Sequence, residues 1–403
     1  MAYIPKIDEL IEVRDDSEGA LTCGVEIEFL VPCISCDAQD PDPDIKDQHL
    51  YKTSSVDQEL IMKDVREQLL EILQQQLEDI PFRAMDDDDF YPPHDNVVIY
   101  DTWRLGREST VSKHGGPRLI HGPYHWTDCE LTSPVMDSDD YAQDIEDVCR
   151  VLKTVRIHLN KTTAVHVHVG RGDEPFSLLT LKKFATLYWL TEKAIIELQH
   201  PSRHNNKYNF RLNNCSVLAN KLQATLDKEE KSSLGGASDT MAEYVPEAGL
   251  SRLRHAQLRR IWACNSMEKV AKLMQSARDK VPESRAAYKR GSVGFQRFLP
   301  AGKTGGNIQT FEWRQMSGSV DAKHINQWVK TCIAFTDFCR LSDGVTFKGL
   351  MENVIERGKK FTGIELLEAL DVDTQIFKDM LEVWSQDSSF CEDLKGRKLF
   401  VPK

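Results

Sequence analysis

The stretch Thr310-Phe311-Glu312-Trp313-Arg314-Gln315-Met316 alternates as a β-strand does: Phe311 and Trp313 point one way, Glu312 and Arg314 the other. A half-buried strand ordinarily sets bland polar groups on its wet face. This one sets a carboxylate beside a guanidinium. Upstream the device recurs three times. In Gly24-Val25-Glu26-Ile27-Glu28-Phe29 two glutamates share a face opposite three apolar side chains. Glu130 and Thr132 are paired in the same way in Cys129-Glu130-Leu131-Thr132, and Val165-His166-Val167-His168-Val169 sets two imidazoles opposite three valines. The expectation is one sheet, with helices over the apolar faces and a single cleft lined by the polar ones. Carboxylates crowded into one cleft repel and raise one another's pKa. Divalent cations, helped by Arg314, are the remedy, so the pattern points to a metal-dependent active site.

The chain as a whole sets the bounds. Its 403 residues allow a sizeable core in one large or two ordinary domains. A hydrophobic fraction of 40% with 28% charged residues is that of a soluble globular protein, and the net charge of -12 argues against a nucleic-acid partner. No apolar leader and no membrane-length apolar run is expected. Of ten cysteines only Cys33 and Cys36 have redox or metal spacing, and no second pair completes a four-cysteine zinc site. A cytoplasmic protein with reduced thiols follows.

Taken in order, residues 1–21 read as a lead-in and 22–31 as the first strand, ending at Pro32. The acidic segment at about 35–57 reads as a solvated insertion. Ile61, Val65, Leu69, Leu73, Leu77 and Ile80 predict a helix over 56–80, stopped by Pro81. The acidic run Asp86–Asp89 reads as a surface turn. Val97–Leu105 and Arg107–Ser112 read as meander strands, Trp126–Thr132 as the next, and Asp139-Asp140 as the start of a helix reaching about Asn160. Ser177 caps a helix to Leu198, residues 200–216 are irregular and basic, and about 227–240 is a flexible loop. A helix is expected over 252–278, then strands over 287–298 and 307–316 around a hairpin tip at 300–306, then helices from Asp321. The fold class is α+β: a largely antiparallel sheet with helices on one face and a cleft on the other.

Glutamate oxygens with one or two imidazoles suit magnesium or manganese, ions that most often serve phosphoryl transfer while an arginine neutralises developing charge. Arg314 is placed for that role, and Arg203 and Arg211 offer a further bidentate clamp. Gly302-Lys303-Thr304 imitates the end of a P-loop, but Arg297 stands where the first glycine is required.

Gly24-Val-Glu-Ile-Glu28, Glu130-Leu-Thr-Ser-Pro134, His166-Val-His168, Pro201-Ser-Arg203 with Asn205-Asn206 and Tyr208, and Thr310-Phe-Glu-Trp-Arg314 followed by Gly318-Ser-Val-Asp321 and Trp328 occur in a telling order. Over residues 22 to about 340 this order resembles the amidoligase family, carboxylate–amine ligases related to glutamine synthetase and γ-glutamylcysteine ligase. The resemblance implies a catalytic domain at 22–340 followed by a helical extension at 341–403 packed on it. It also implies magnesium ligation by Glu26, Glu28, Glu130, Glu312 and His166, with His168 and Arg314 facing the phosphates of ATP. Arg203 would anchor a phosphate or carboxylate, with Trp103 and Arg211 near the substrate. The implied reaction phosphorylates a small-molecule or peptide carboxylate, and an amine then displaces phosphate to leave an amide. Two departures stand out: the family's Asp-x-Ser element is matched here only by Arg107-Glu108-Ser109, and Glu-Phe-Arg is Glu-Trp-Arg.

Other readings compete. A zinc hydrolase on His166 and His168 would want more ligands than His200, His204, His255 and His324 offer from loops and helices. A non-catalytic module on the same fold predicts lost ligands, and a phosphotransferase forming no amide would share the site. The identities of acid and amine are not written in the sequence.

Overall fold

The four alternating segments are strands, and they lie side by side. The computed structural model describes residues 16–85, 100–111, 124–206, 208–220, 237–276, 291–299 and 308–386. Its strands are β1 (Thr22–Ser35), β2 (Tyr51–Thr53), β3 (Phe82–Ala84), β4 (Trp103–Gly106), β5 (His125–Thr132), β6 (Met136–Asp137), β7 (Ala164–Gly170), β8 (Val293–Gly294) and β9 (Thr310–Ser317). They form an open sheet in the order β3-β4-β5-β1-β7-β9-β8, with β2 and β6 also bonded to β1. Only the β1–β2 and β3–β4 pairs are parallel. The fold is α+β on a mostly antiparallel sheet.

Eleven α-helices are described: α1 (Gln58–Gln76), α2 (Tyr141–Leu152), α3 (Leu178–Glu197), α4 (Leu212–Cys215), α5 (Ala237–Tyr244), α6 (Arg252–Trp262), α7 (Met267–Met274), α8 (Ala322–Leu341), α9 (Gly344–Arg357), α10 (Gly363–Ala369) and α11 (Gln375–Gln386). Val25, Ile27 and Phe29, the valines of β7, and Phe311 and Trp313 join one core with Val65 and Leu69 of α1, Ile145 of α2, Phe184 of α3 and Trp328 of α8. Phe184 stacks on Phe311 with ring centroids 3.7 Å apart. Each such side chain contributes about 1.5–3 kcal/mol by leaving water, which fixes register: a slip by one residue would bury the carboxylates instead.

Several boundaries differ from expectation, for local reasons. β1 runs through Pro32 to Ser35, pairing Pro32 with Trp126. Leu30 N–H bonds the His158 carbonyl on the side away from β5, so by alternation the missing N–H of Pro32 faces that side too, beyond the end of the β1–β7 ladder. α1 starts at Gln58 rather than Val56, capped by Asp57, whose carboxylate accepts from Glu59 and Leu60 N–H. α2 stops at Leu152, because residues 154–158 leave it to bond His49 and Leu30. The 252–278 segment is two helices, the second capped by Ser266, which accepts from Lys269 N–H. Residues 107–111 form a turn rather than a strand, and β8 is two residues long. Residues 1–15, Asp86–Asp89, residue 112, most of the 227–240 loop, residues 287–290, the tip at 300–306 and residues 387–403 lie outside the described residues.

The acidic insertion is not a free solvated loop. Arg156, 1% exposed, donates to both Asp40 carboxylate oxygens at 2.8 and 2.6 Å and to the Asp42 and Ile45 carbonyls. Tyr124 O–H bonds Asp42 at 2.9 Å. Opposite-charge pairing and the hydrogen bonds of both terminal nitrogens of a buried guanidinium hold the segment down.

Candidate active site

Strand register assembles the site. Glu28 lies opposite Glu130, Glu26 opposite Thr132 on one side and His166 on the other, and His168 opposite Glu312. All these side chains stand on the face away from the core. Between Val165 and Val167 the register with β9 shifts, so Arg314 and Gln315 share the place opposite His166. Bulges re-aim side chains next to sites. Here Arg314 donates to Glu312 and sits 3.4 Å from His166 Nδ1.

Two groups of three ligand atoms converge, each within 4.8 Å of one another: Glu26, His168 and Glu312 in one, Glu28, Glu108 and Glu130 in the other. The two imidazoles are distributed differently from the resemblance. It is His168 that converges with Glu26 and Glu312; its Nε2 is 3.1 Å from Glu26 and its Nδ1 3.2 Å from Thr310. His166 spans the two groups, 2.8 Å from Glu26 through Nδ1 and 3.5 Å from Glu28 through Nε2.

The charge balance is strained. Burial, then the nearby Glu108 charge, pushes the Glu28 carboxyl up to about 8, against Arg314 and Arg203. Burial also raises Glu26, but the His168 charge and hydrogen bonds from both imidazoles outweigh it and hold the carboxyl well below the usual range. Burial and Arg314 push His166 down to about 4, leaving a neutral ring. Burial disfavours the Arg314 cation, yet Glu312, Glu28 and Glu26 together raise its pKa. A buried carboxyl that holds its proton near neutrality is a group that a bound divalent cation would ionise. The all-oxygen group suits magnesium, and the imidazole-containing group suits magnesium or manganese.

The arginines divide. Arg203 is fully buried under β9, donating to the carbonyls of Arg314 at 2.7 Å and Gln315 at 3.3 Å. It braces the bulge; no open surface is offered to a substrate. Gln315 Nε2 donates to Tyr188 Oη at 2.6 Å, Tyr188 O–H donates to Ser292, and Ser292 donates to the buried Glu192. Arg211 bonds the His204 carbonyl at 3.2 Å. Trp103 is a correction: it is 0% exposed in the core, packed on Phe82 at 6.3 Å between centroids, and offers no face to a substrate.

Sequence reasoning missed two contributors. Glu108 sits in the turn after β4, where no alternation marks it; its one signal was its place in the Arg107-Glu108-Ser109 match. Gln296, in a short 3-10 turn, donates to Glu312. Gly294 makes room for that contact, because a Cβ there would lie 2.8 Å from both Glu312 Oε2 and Gln296 Oε1.

A sheet with converging carboxylates and imidazoles on one face and helices on the other defines a candidate cation-binding enzyme cleft. A family model described as "Putative amidoligase enzyme" matches residues 20–336, and the chain belongs to that family. No curated protein matched the sequence. Among the described residues no helix is long and apolar enough to cross a membrane.

Proposed function

We propose that the protein is an ATP- and magnesium-dependent carboxylate–amine ligase, its sheet serving as the catalytic face of a glutamine synthetase/γ-glutamylcysteine ligase-type fold. The observation that carries this is the convergence of two three-ligand groups near Arg314, on four strands and the turn after β4. Glu26, His168 and Glu312 would hold one magnesium or manganese ion, and Glu28, Glu108 and Glu130 another. Bound there, the ions supply the positive charge that lets a triphosphate and a carboxylate meet.

The chain's own residues do the rest. Arg314, aimed by the bulge and fixed by Arg203 behind it, balances charge on the phosphoryl group in flight. Neutral His166 locks Glu26. Glu26 and His168, each about one-fifth exposed, mark the open edge from which solutes enter, whereas Glu28 is sealed at 2%. A substrate carboxylate oxygen attacks the γ-phosphorus and ADP leaves with the bonding pair. An amine nitrogen then attacks the acyl carbon, the C–O bond to phosphate breaks, and phosphate carries away the amine's proton.

The test is ATP turnover by the purified full chain, with and without magnesium, against pools of acids and amines, beside a Glu312→Ala control. ADP release that requires magnesium, an acid and an amine, and that is lost in the control, is expected. Absence of both ATP turnover and nucleotide binding would overturn the proposal.

A further inference from the structure

Beyond Glu28 and Glu130, the same face of the sheet ends in a small apolar cluster: Leu30 of β1, Trp126 of β5 and Val111, with Ile45 and Tyr124 packed against it. Leu30 lies opposite Asp128 and Pro32 opposite Trp126, the next two rows along the strands that carry the carboxylates. Ile45 belongs to the excursion at 36–50 that leaves β1 and returns as β2. That excursion wraps the Arg156 guanidinium, which binds Asp40, the carbonyls of Asp42 and Ile45, and Tyr124 Oη. Arg156 is itself anchored by its backbone, its N–H bonding the His49 carbonyl at 2.9 Å.

Val111 links this cluster to the cation groups. It closes the turn that carries Glu108: Val111 N–H bonds the Glu108 carbonyl at 3.1 Å, and Thr110 N–H bonds Glu108 Oε1 at 2.7 Å. The start of the turn follows the β4–β5 ladder, which places Gly106 opposite Glu130, and Arg107 lies 3.6 Å from Asp128. The far end of the Glu108 turn, at Val111, therefore rests on the cluster against which Ile45 of the excursion packs.

Resting on the ligase reading above, we propose that the Arg156-centred excursion is the end wall of the cleft and the positioning element for Glu108. It sets the affinity of the Glu28–Glu108–Glu130 group for a divalent cation and leaves the Glu26–His168–Glu312 group alone. Arg156 is a positioning residue, acting through Ile45, Tyr124 and Val111. Outer partners of this kind typically change metal affinity by about 10–100-fold when removed.

The experiment is manganese binding by the full chain, followed by calorimetry and by electron paramagnetic resonance of free manganese. Wild type, Arg156→Met, Tyr124→Phe and Glu108→Gln are compared. Thermal melts confirm folding, and limited trypsinolysis at Lys46 and Lys52 reports release of the excursion. Two ions are expected on wild type. One is weakened about tenfold or more in Arg156→Met, matching the Glu108→Gln isotherm, and by less in Tyr124→Phe. An excursion released by Arg156→Met with both affinities unchanged would overturn this inference while leaving the ligase reading intact. Equal loss of both ions would overturn the selective coupling. A wild type that binds no manganese would sink the cation reading and this inference with it.

Discussion

Cation binding at the Glu28 group should be visible as a proton leaving the protein. With its carboxyl pushed up to about 8 by burial and by Glu108, Glu28 is about 90% protonated at pH 7, about half at pH 8 and about 10% at pH 9. A ligated carboxylate must be ionised, so an ion entering this group releases about 0.9 proton at pH 7, 0.5 at pH 8 and 0.1 at pH 9. Affinity should weaken by about tenfold for each pH unit below 8. Titrating manganese into metal-free protein in buffers of different ionisation enthalpy reads the release directly. Glu28→Gln should abolish its pH dependence. Release that stays flat between pH 7 and 9, or is absent at pH 7, would refute the reasoning from burial and like charge.

The same groups set stability without metal. Glu28, raised when folded, makes folding weaken as pH climbs from its unfolded value of 4.5 towards 8, by at most about 1.4 kcal/mol per unit. His166 and His324, both pushed down to about 4 mainly by burial, have the opposite sign: their stability is complete above the unfolded value of 6.5 and lost as pH falls towards 4. Melts of metal-free protein should therefore peak near pH 6.5 and decline towards pH 8; a rise over that interval would contradict the Glu28 assignment. Gly294→Ala should weaken manganese binding at the Glu26–His168–Glu312 group about tenfold, since the new Cβ displaces Glu312 or Gln296, and unchanged affinity would sink that account. Trp103→Ala should cost about 3–5 kcal/mol in denaturant unfolding; no loss would place the ring outside the core.

The site was legible where it sits on regular strands. Period-two alternation names a face without knowledge of the fold, which is why Glu26, Glu28, Glu130, His166, His168, Glu312 and Arg314 could be read from residue order alone. Glu108 and Gln296 come from turns, where side-chain direction depends on backbone angles that sequence does not reveal. Arg203 carries the chemistry of an anion clamp, and only packing shows that it is fully buried with Nε and Nη2 given to two bulge carbonyls. The single helix expected over 252–278 failed because its apolar rhythm continues across the Asn265-Ser266 break. Pro32 misled in the other direction: a strand tolerates proline where its missing donor faces no partner.

The place of β9 in the sheet also bears on biosynthesis. β7 lies between β1 and β9, yet roughly 140 residues separate Gly170 from Thr310. At ribosomal rates that interval lasts roughly 7–30 s. Throughout it β7 is an edge strand of valines with an unpaired ladder, and the carboxylates of β1 lack the Arg314 cation. The nascent chain carries that open edge and those carboxylates together until β9 is made.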